Sequence, residues 1–509
     1  MSEKTLSAGQ GALFLTAMST VSQILGFGYR VVLSRLVGAE VMGLYQLIMP
    51  VSSVIMSLTA VGLTSAVSNL TSQYLALGNR RAADQAIATC LKIFFLLLLP
   101  LGAAVVLGSD AISVHLLGDA RTQLGLILLI PCVALTGVEN CHKHYFYGAG
   151  IVRPPAIVEL MEQFVRTFAV IALLLLFLPQ YPERVVGLIV TGMVICEIFS
   201  SCTLVVLYRR RRGLLTGRGE EGRVRRRRVA AIALPVGLNA LLGNLLGAAN
   251  SALIPRKLVE GGLGRSAAVS QFGVVCGMTM PMLSLPIVFL GALNLVLVPR
   301  LARACALGRP EECRGLVSQA ISAVSLLTLP AMAFMVVVGP DLGRAMFRQD
   351  GVGEYLIPLA CVMAMSCGTS VLASSLNGVG RQRTVAAISL SGGVVQLGFT
   401  LALVPLPGVG MAGYVAGAVV STALELGLCL WQIVRATGLR LQPFCWMAAP
   451  GLAALMAGLT GNLLFRVLKD GGVDPVPAGL GTLGFTLILY LAALQAQGVK
   501  VRDVLRLDW

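Results

Sequence analysis

Long apolar runs alternate with short polar, glycine-rich or proline-rich breaks along the whole chain. One helix that crosses the hydrocarbon core of a bilayer needs ~20 mostly apolar residues, and every one of the runs is at least that long. The pattern predicts an all-α integral membrane protein with 14 transmembrane helices, numbered here as spans 1 to 14. The runs lie near residues 11–34, 43–70, 86–108, 122–147, 155–179, 185–208, 229–255, 268–298, 315–339, 354–377, 385–405, 411–434, 444–465 and 477–497.

Composition supports a membrane protein. Apolar residues make up 56% of the 509 residues and charged residues only 12%, about half the ~25% that is usual in soluble proteins. The 12 cysteines form no CxxC pair, so we expect small buried side chains and not a disulfide framework. The first apolar run is followed by no small-residue cleavage site, so we expect it to be retained as span 1.

The distribution of positive charge predicts the orientation. The net charge is +16, and the basic residues sit between the apolar runs. With the N-terminus in the cytoplasm, 27 of the 39 Lys and Arg fall in inner segments and 11 in outer ones, as the positive-inside rule requires. Both termini are then cytoplasmic, which needs an even number of spans.

A basic loop of ten arginines between Arg209 and Arg228 is the one obvious linker. It predicts an N-terminal lobe at 1–208, a cytoplasmic linker at 209–228 and a C-terminal lobe at 229–436. Spans 13 and 14 with a cytoplasmic tail then occupy 437–509. The arginines are explained by topology and by attraction to anionic lipid.

A spacing of 230 residues recurs between the two halves. Ala76-Leu77-Gly78 is matched by Ala306-Leu307-Gly308, and Pro100 by Pro330. The motif GxGxxR at 148–153 is matched at 378–383. These matches predict a duplicated unit of six spans. Because six is even, the two copies have the same orientation and form two parallel six-helix lobes related by a pseudo-twofold axis along the membrane normal. Spans 13 and 14 are extra.

Several carboxylates lie inside the predicted spans, where an ionisable residue is costly and needs a partner or a role. Glu139, Glu159, Glu162 and Arg166 are expected to lie close together, either as a neutralised structural cluster or as a proton or cation relay.

Two further carboxylates, Glu197 in span 6 and Glu425 in span 12, are 228 residues apart and have no basic neighbour in sequence. They are candidates for coupling-ion or proton binding, with hydrogen-bonded structural carboxyl groups as the alternative.

Four basic residues lie near outer helix ends: Arg30 near the outer end of span 1 with Arg35 five residues on, and Arg256 and Lys257 at the outer end of span 7. One interpretation is that they snorkel to the membrane interface. The other is that they bind phosphate within a cleft, which suits the bidentate guanidinium group.

Sequence motifs of enzymes are lacking, since HExxH, the Walker lysine motif and GxSxG do not occur. The predicted outer loops are short and carry no tight acidic pair, so a membrane glycosyltransferase or polymerase is disfavoured and no catalytic residue is assigned. Cys141, His142 and His144 sit together at a predicted inner membrane edge, but no metal site is expected there.

Two stretches near the start of the chain carry a family resemblance: SQILGFGYR at 22–30 and LSRLVGAEVMGLYQ at 33–46. They resemble the stage V sporulation protein B group of polysaccharide exporters. The superfamily of that group also contains lipid II flippases, O-antigen flippases and multidrug/toxin extruders. In lipid II flippases a basic residue after the GF motif of span 1 lines the cavity, and Arg30 matches that position. An arginine often precedes the motif in those flippases, whereas Gln23 stands there in this chain.

The resemblance implies an alternating-access flippase and not an enzyme. Its substrate would be an undecaprenyl-pyrophosphate-linked sugar, such as lipid II or a spore-cortex peptidoglycan precursor, moved from the inner to the outer leaflet of the plasma membrane. Its partners would be membrane lipids and the cell-wall synthesis machinery, without nucleic acid. No cofactor is expected beyond a possible coupling ion, Na⁺ or H⁺, and the rival function is a cation-coupled multidrug extruder.

Overall fold

Helices dominate the computed structural model, which describes residues 8–211, 216–284, 288–440, 442 and 444–498. Within these ranges there is no strand, so the predicted all-α class is confirmed. The N-terminal residues 1–7, residues 212–215 of the linker and the predicted cytoplasmic tail beyond residue 498 lie outside the described ranges. The α-helices are α1 (Ala8–Met56), α2 (Gly62–Ala76), α3 (Arg80–Leu107), α4 (Ser109–Ala111), α5 (Gln123–Gly148), α6 (Arg153–Phe177), α7 (Val185–Arg211), α8 (Gly222–Glu260), α9 (Arg265–Phe272), α10 (Met280–Leu283), α11 (Val288–Ala306), α12 (Pro310–Phe347), α13 (Leu356–Gly378), α14 (Gln382–Leu403), α15 (Met411–Thr437), α16 (Ala449–Asp470) and α17 (Pro475–Ala496).

Among the described residues, 13 helices are long and apolar enough to cross a membrane. Twelve of them match predicted spans 3 to 14 one to one. The other, Phe14–Ala76, has 63 residues and takes in both span 1 and span 2. At ~1.5 Å per residue it is ~95 Å long, about three times the ~30 Å hydrocarbon core. Gly38 breaks it with φ 79° and ψ 176°, so the chain can turn between two crossings. The number 14 stays a prediction.

Among the described residues, three of the predicted spans contain π-helical segments: Ser57–Val61 between α1 and α2, Gly273–Thr279 between α9 and α10, and Phe444–Ala448 before α16. A π-helical turn inserts extra backbone into an α-helix and is found frequently at functional sites. Predicted span 8 is built from pieces, since α9, the π-segment and α10 precede residues 285–287, which lie outside the described ranges, and α11 follows.

The 230-residue spacing of the sequence recurs in the backbone. Gly78 and Gly308 both have positive φ, at 71° and 64°, and so do Gly150 and Gly380, at 72° and 83°. Positive φ is accessible to glycine without steric cost, so the matched glycines make matched turns. The packing recurs too, since α5 and α6 both pack on α7 while α13 and α14 both pack on α15. The symmetry axis that would relate the two copies stays a prediction.

The chain folds into two compact units. The first contains Met1–Tyr29 and Leu36–Arg256, and the second contains Arg30–Arg35 and Lys257–Trp509. Helix α8, which is predicted span 7, therefore belongs to the first unit up to Arg256, although the sequence assigns it to the C-terminal lobe at 229–436. A close approach of α8 to α2 accounts for this grouping: a Cβ atom on Gly62 would lie 2.1 Å from the Ala233 carbonyl oxygen.

The end of the basic linker is anchored to the turn between α2 and α3. The Arg81 amide donates to the Thr216 carbonyl at 3.0 Å, and the Asn79 side chain donates to the Arg218 carbonyl at 2.7 Å. The Tyr74 hydroxyl donates to the Glu220 carboxylate. These contacts fix the start of α8 on the first unit.

Candidate functional site

Four ionisable side chains from three helices meet inside the first unit. Glu139 comes from α5, Glu162 and Arg166 from α6, and Glu197 from α7. The glutamates are 4%, 7% and 4% exposed. We call these four residues the acidic cluster. They converge because α5 and α6 both pack on α7, and because residues four apart on a helix lie on one face, which aligns Glu162 with Arg166.

Arg166 is the centre of the acidic cluster. Its guanidinium group pairs with Glu162 and lies 3.7 Å from Glu197 Oε1. It also donates to the Gln163 Oε1 atom at 3.5 Å and to the Cys196 sulfur at 3.4 Å. A guanidinium group can serve several acceptors at once because its five N–H donors are spread around a plane.

The acidic cluster has more negative than positive charge. It contains three carboxylates and one guanidinium group, which forms ion pairs with Glu162 and Glu197 but, within the described part of the chain, not with Glu139. Glu139 accepts from the Ser200 hydroxyl at 3.1 Å, but among the described residues Glu197 Oε2 has no hydrogen-bond partner. Burial of a charge is costly unless the charge is paired and hydrogen-bonded. The arrangement therefore has room for a proton or another cation.

The sequence placed Glu159 in this group and left Glu197 outside it, whereas the structure makes a different arrangement. Glu159 pairs with Lys143 at 2.7 Å and is 36% exposed at its side chain, so this pair is already neutral. Glu197 has no basic neighbour in sequence, but the packing of α6 on α7 brings Arg166 to it.

Glu425 belongs to α15 of the second unit and is not a member of the acidic cluster. Its carboxylate packs against Gly392 of α14, where an added Cβ atom would lie 1.8 Å from Glu425 Oε1. Gly392 thus leaves the space that the carboxylate occupies. No ion pair or hydrogen bond joins Glu425 to another residue within the described part of the chain. The two glutamates that the sequence treats as equivalent therefore have different surroundings.

One group of possible metal ligands occurs among the described residues, formed by Glu162, Cys196 and Glu197, whose ligand atoms lie within 4.8 Å of one another. Arg166 contacts all three, and a fixed positive charge there opposes a divalent ion. Cys141 and His142 do not join such a group; the His142 Nδ1 atom lies 2.7 Å from the Val138 carbonyl.

The four basic candidates also differ in their surroundings. Arg35 donates to the Met346 and Ala345 carbonyls at 2.5 and 2.8 Å, so it caps the C-terminal end of α12. Lys257 pairs with Glu260 at 2.6 Å. Arg30 and Arg256 are half-buried, and neither makes an ion pair or side-chain hydrogen bond with any residue that the structure describes.

Sequence reasoning did not find three contributors to the acidic cluster: Gln163, Cys196 and Ser200. Their side chains are short or neutral, and only the packing of the helices brings them there. The GF motif of span 1 adjoins the same place, because a Cβ atom on Gly26 would lie 3.5 Å from the Gln163 amide nitrogen. The sequence signal that did point to this region was the set of ionisable residues inside the predicted spans, Glu139, Glu162 and Arg166.

These observations define a multi-pass α-helical membrane protein with buried charged residues inside its first unit. The family model for "Polysaccharide biosynthesis protein" matches residues 8–305, and the chain belongs to that family.

Two curated relatives support the same class of protein. The chain is 24% identical over 425 residues to stage V sporulation protein B of Bacillus subtilis (strain 168), which covers 82% of each chain. It is 22% identical over 459 residues to the lipid II flippase MurJ of the same organism, which covers 83% of this chain and 80% of MurJ. These relatives include a flippase, and neither is named as an enzyme.

Solved structures share the fold. A lipid II flippase MurJ in an inward closed conformation superposes with a TM-score of 0.69 at 12% identity, covering 97% of this chain and 100% of that one. A multidrug resistance transporter of the MATE family in an inward-facing conformation gives a TM-score of 0.66 at 14% identity, covering 84% and 99%. The fold expected from the sequence resemblance is confirmed.

Proposed function

We propose that the protein is an alternating-access flippase that moves an undecaprenyl-pyrophosphate-linked sugar, such as lipid II or a spore-cortex peptidoglycan precursor, from the inner to the outer leaflet of the plasma membrane. The observation that carries the proposal is membership of the polysaccharide biosynthesis family together with a fold shared with a lipid II flippase along nearly the whole chain. The prenyl tail remains in lipid, so only the polar head needs a protein path across the hydrocarbon.

Arg30 is the residue to which we assign the pyrophosphate. It lies three residues after Phe27 of the GF motif, and its half-buried guanidinium group has no anionic partner among the described residues. A charged group in that position gains from an anionic ligand, and a guanidinium fits phosphate oxygens in bidentate geometry. Arg256 has the same free, half-buried character and is the second candidate. Arg35 and Lys257 stay weaker candidates because each already has a protein partner.

The test is lipid II translocation in vesicles that contain the purified full-length protein. We expect Arg30→Gln to slow translocation by about ten- to a hundredfold, because a hydrogen bond to a charged group contributes ~1.5–3 kcal/mol. The matched control is Arg466→Gln, since Arg466 is exposed and its side-chain hydrogen bond within the described ranges is to Asn462 at 3.2 Å on its own helix. Equal translocation by Arg30→Gln and wild type, with both folded, would remove the assigned role.

We assign coupling to the acidic cluster, with H⁺ or Na⁺ as the ion. The excess of carboxylates over Arg166 and the free Glu197 Oε2 atom support this assignment. Uptake of one cation neutralises part of a buried negative charge, and such a change biases helix packing toward one of two states. H⁺ fits better than a metal ion because Arg166 occupies the centre of the group.

The coupling test compares translocation rates under an imposed pH gradient and under an imposed Na⁺ gradient. We expect the rate to respond to the pH gradient in wild type, and Glu197→Gln to remove that response. Glu354→Gln is the control, since Glu354 lies between α12 and α13, outside the acidic cluster. A response that persists unchanged in Glu197→Gln would place coupling elsewhere.

The second candidate function is a cation-coupled multidrug extruder, which the fold shared with a multidrug transporter supports. The two functions differ in the charge of the cargo. Vesicles loaded with a cationic dye discriminate them: an extruder moves the dye and leaves lipid II translocation at background, whereas a flippase does the reverse.

A further inference from the structure

An apolar groove of about 280 Å³ lies inside the first unit where α8 passes α2 and α3. The π-helical segment Ser57–Val61 forms part of its wall, with Leu58, Leu97 and Leu234. These three leucines are 43%, 44% and 70% exposed. The apolar walls of the groove are therefore exposed at the surface of the protein.

Along α8 the groove runs from Val229 to Leu241. Twelve steps of ~1.5 Å give a length of ~18 Å. One leaflet of the hydrocarbon core is about 15 Å deep, half of ~30 Å. The groove therefore has about the length of one acyl chain and begins beside the arginines of the linker.

The face of α8 that lines the groove continues into two arginines. At 3.6 residues per turn, Arg226 and Arg223 precede the lining residue Ala230 by four and seven positions, so they share its face. Both arginines are exposed, and neither makes an ion pair or hydrogen bond with another residue in the described ranges.

The neighbouring Arg225 and Arg228 differ from these two because both have partners within the first unit. Arg225 donates to Thr89 Oγ1 at 2.6 Å and to Gln85 Oε1 at 2.8 Å, and Arg228 pairs with Glu220 at 3.2 Å. These four arginines of α8 thus fall into two pairs. Arg225 and Arg228 anchor α8 to the first unit, and Arg223 and Arg226 lie at the linker end of the groove.

We infer that this groove is a binding site for an anionic phospholipid of the leaflet next to the linker. The phosphate lies on Arg223 and Arg226, and one acyl chain lies along α8 against the exposed leucines. Charge complementarity selects an anionic head group, since basic pockets beside transmembrane helices bind such lipids. The groove belongs to a helix that is long and apolar enough to cross the membrane, so phospholipid is the abundant ligand that reaches it. Arg30 and the acidic cluster take no part in this site.

The experiment measures lipid binding to the full-length protein after lipid removal in detergent. Thermal unfolding and native mass spectrometry are recorded with phosphatidylglycerol, with phosphatidylcholine of the same chains, and with undecaprenyl phosphate. We expect phosphatidylglycerol to raise the unfolding temperature more than phosphatidylcholine. The double variant R223Q/R226Q should bind phosphatidylglycerol roughly thirtyfold more weakly.

The matched control is R209Q/R210Q, which removes the same charge from exposed positions at the end of α7 and should bind like wild type. A second variant, Ala230→Phe, fills the groove and should lower phosphatidylglycerol binding with the arginines intact. Equal loss in both arginine variants would mean that only general charge matters, and binding of undecaprenyl phosphate alone would mean that the occupant is a prenyl lipid. Either result, or no preference for phosphatidylglycerol, would overturn the inference without affecting the translocation test of Arg30.

Discussion

At the scale of single residues, the acidic cluster depends on Arg166. This guanidinium group is the only cation in contact with Glu162 and Glu197 among the described residues, and both carboxylates are buried. Loss of one partner from a buried ion pair leaves an uncompensated charge, which is strongly destabilising. The effect on stability of replacing Arg166 can therefore be compared with the effect of also removing one of its carboxylate partners.

We expect Arg166→Leu to lower the free energy of unfolding by ~3–5 kcal/mol, because it strands buried carboxylates. Thermal unfolding in detergent at neutral pH measures the effect. The double variant R166L/E162Q removes one of those charges and should be more stable than R166L alone. A double variant no more stable than R166L would contradict the charge account.

We expect replacement of Arg35 to lower stability, whereas we expect replacement of Arg30 to slow transport. Arg35→Gln removes two donors from carbonyls at the end of α12, so we expect a loss of ~1 kcal/mol from cap and helix dipole together. Hydrogen exchange should become faster at residues 340–348. Arg30→Gln is the comparison and should leave exchange at those residues unchanged; an equal effect of both variants would argue against the capping role.

At the scale of elements, the first unit is joined by a close approach of α2 and α8. Gly62 of α2 lies against the Ala233 backbone of α8, and Asn244 of α8 also donates to the Ser53 carbonyl, at the end of α1, at 3.3 Å. Small residues let helix backbones approach in membranes, where packing and hydrogen bonds drive association. The approach also shapes the groove beside it.

We expect Gly62→Ala to destabilise the protein by ~1–3 kcal/mol, because an added methyl group overlaps a carbonyl oxygen and forces the backbone apart. Gly243→Ala is the matched control within α8, since a Cβ atom there meets nothing within 4 Å. The control should be neutral or slightly stabilising. Thermal unfolding of both variants measures the difference. Equal stability of Gly62→Ala and Gly243→Ala would disprove the tight contact.

At the scale of the whole molecule, the charge distribution predicts which side of the membrane each segment faces. The arginines from Arg209 to Arg228 dominate that distribution, and the cost of moving such a group across the bilayer sets the orientation. The structure adds that Phe14–Ala76 is long enough for two crossings. Together these features predict that both termini lie on the same side.

Protease-accessible tags in the linker after Gly217 and at each terminus test this topology in sealed inverted vesicles. We expect cleavage of all three tags from the cytoplasmic side. The control is a tag after Gly472, in the turn between α16 and α17, which should be protected. Cleavage of only one terminal tag would mean an odd number of crossings.

The sequence by itself determined the helical class and the membrane class and predicted the internal repeat, because these follow from local properties. Hydropathy acts over about twenty consecutive residues, and glycines with positive φ are required by their own backbone, as at Gly78 and Gly308. The GF motif and the family resemblance come from one short part of the chain, residues 22–46. None of these features depends on contacts between distant residues.

The tertiary structure alone decided which charges meet. Glu197 lies 3.7 Å from Arg166, which is 31 residues earlier in the chain. Glu159 pairs with Lys143. Arg35 donates to the carbonyls of Ala345 and Met346. The electrostatic energy of a pair depends on distance in space, and separation in sequence does not report that distance once helices pack. For the same reason, the sequence could not distinguish Arg223 and Arg226, which lie at the linker end of the groove, from Arg225 and Arg228, which anchor α8. The distinction required the contacts that α8 makes with its neighbours.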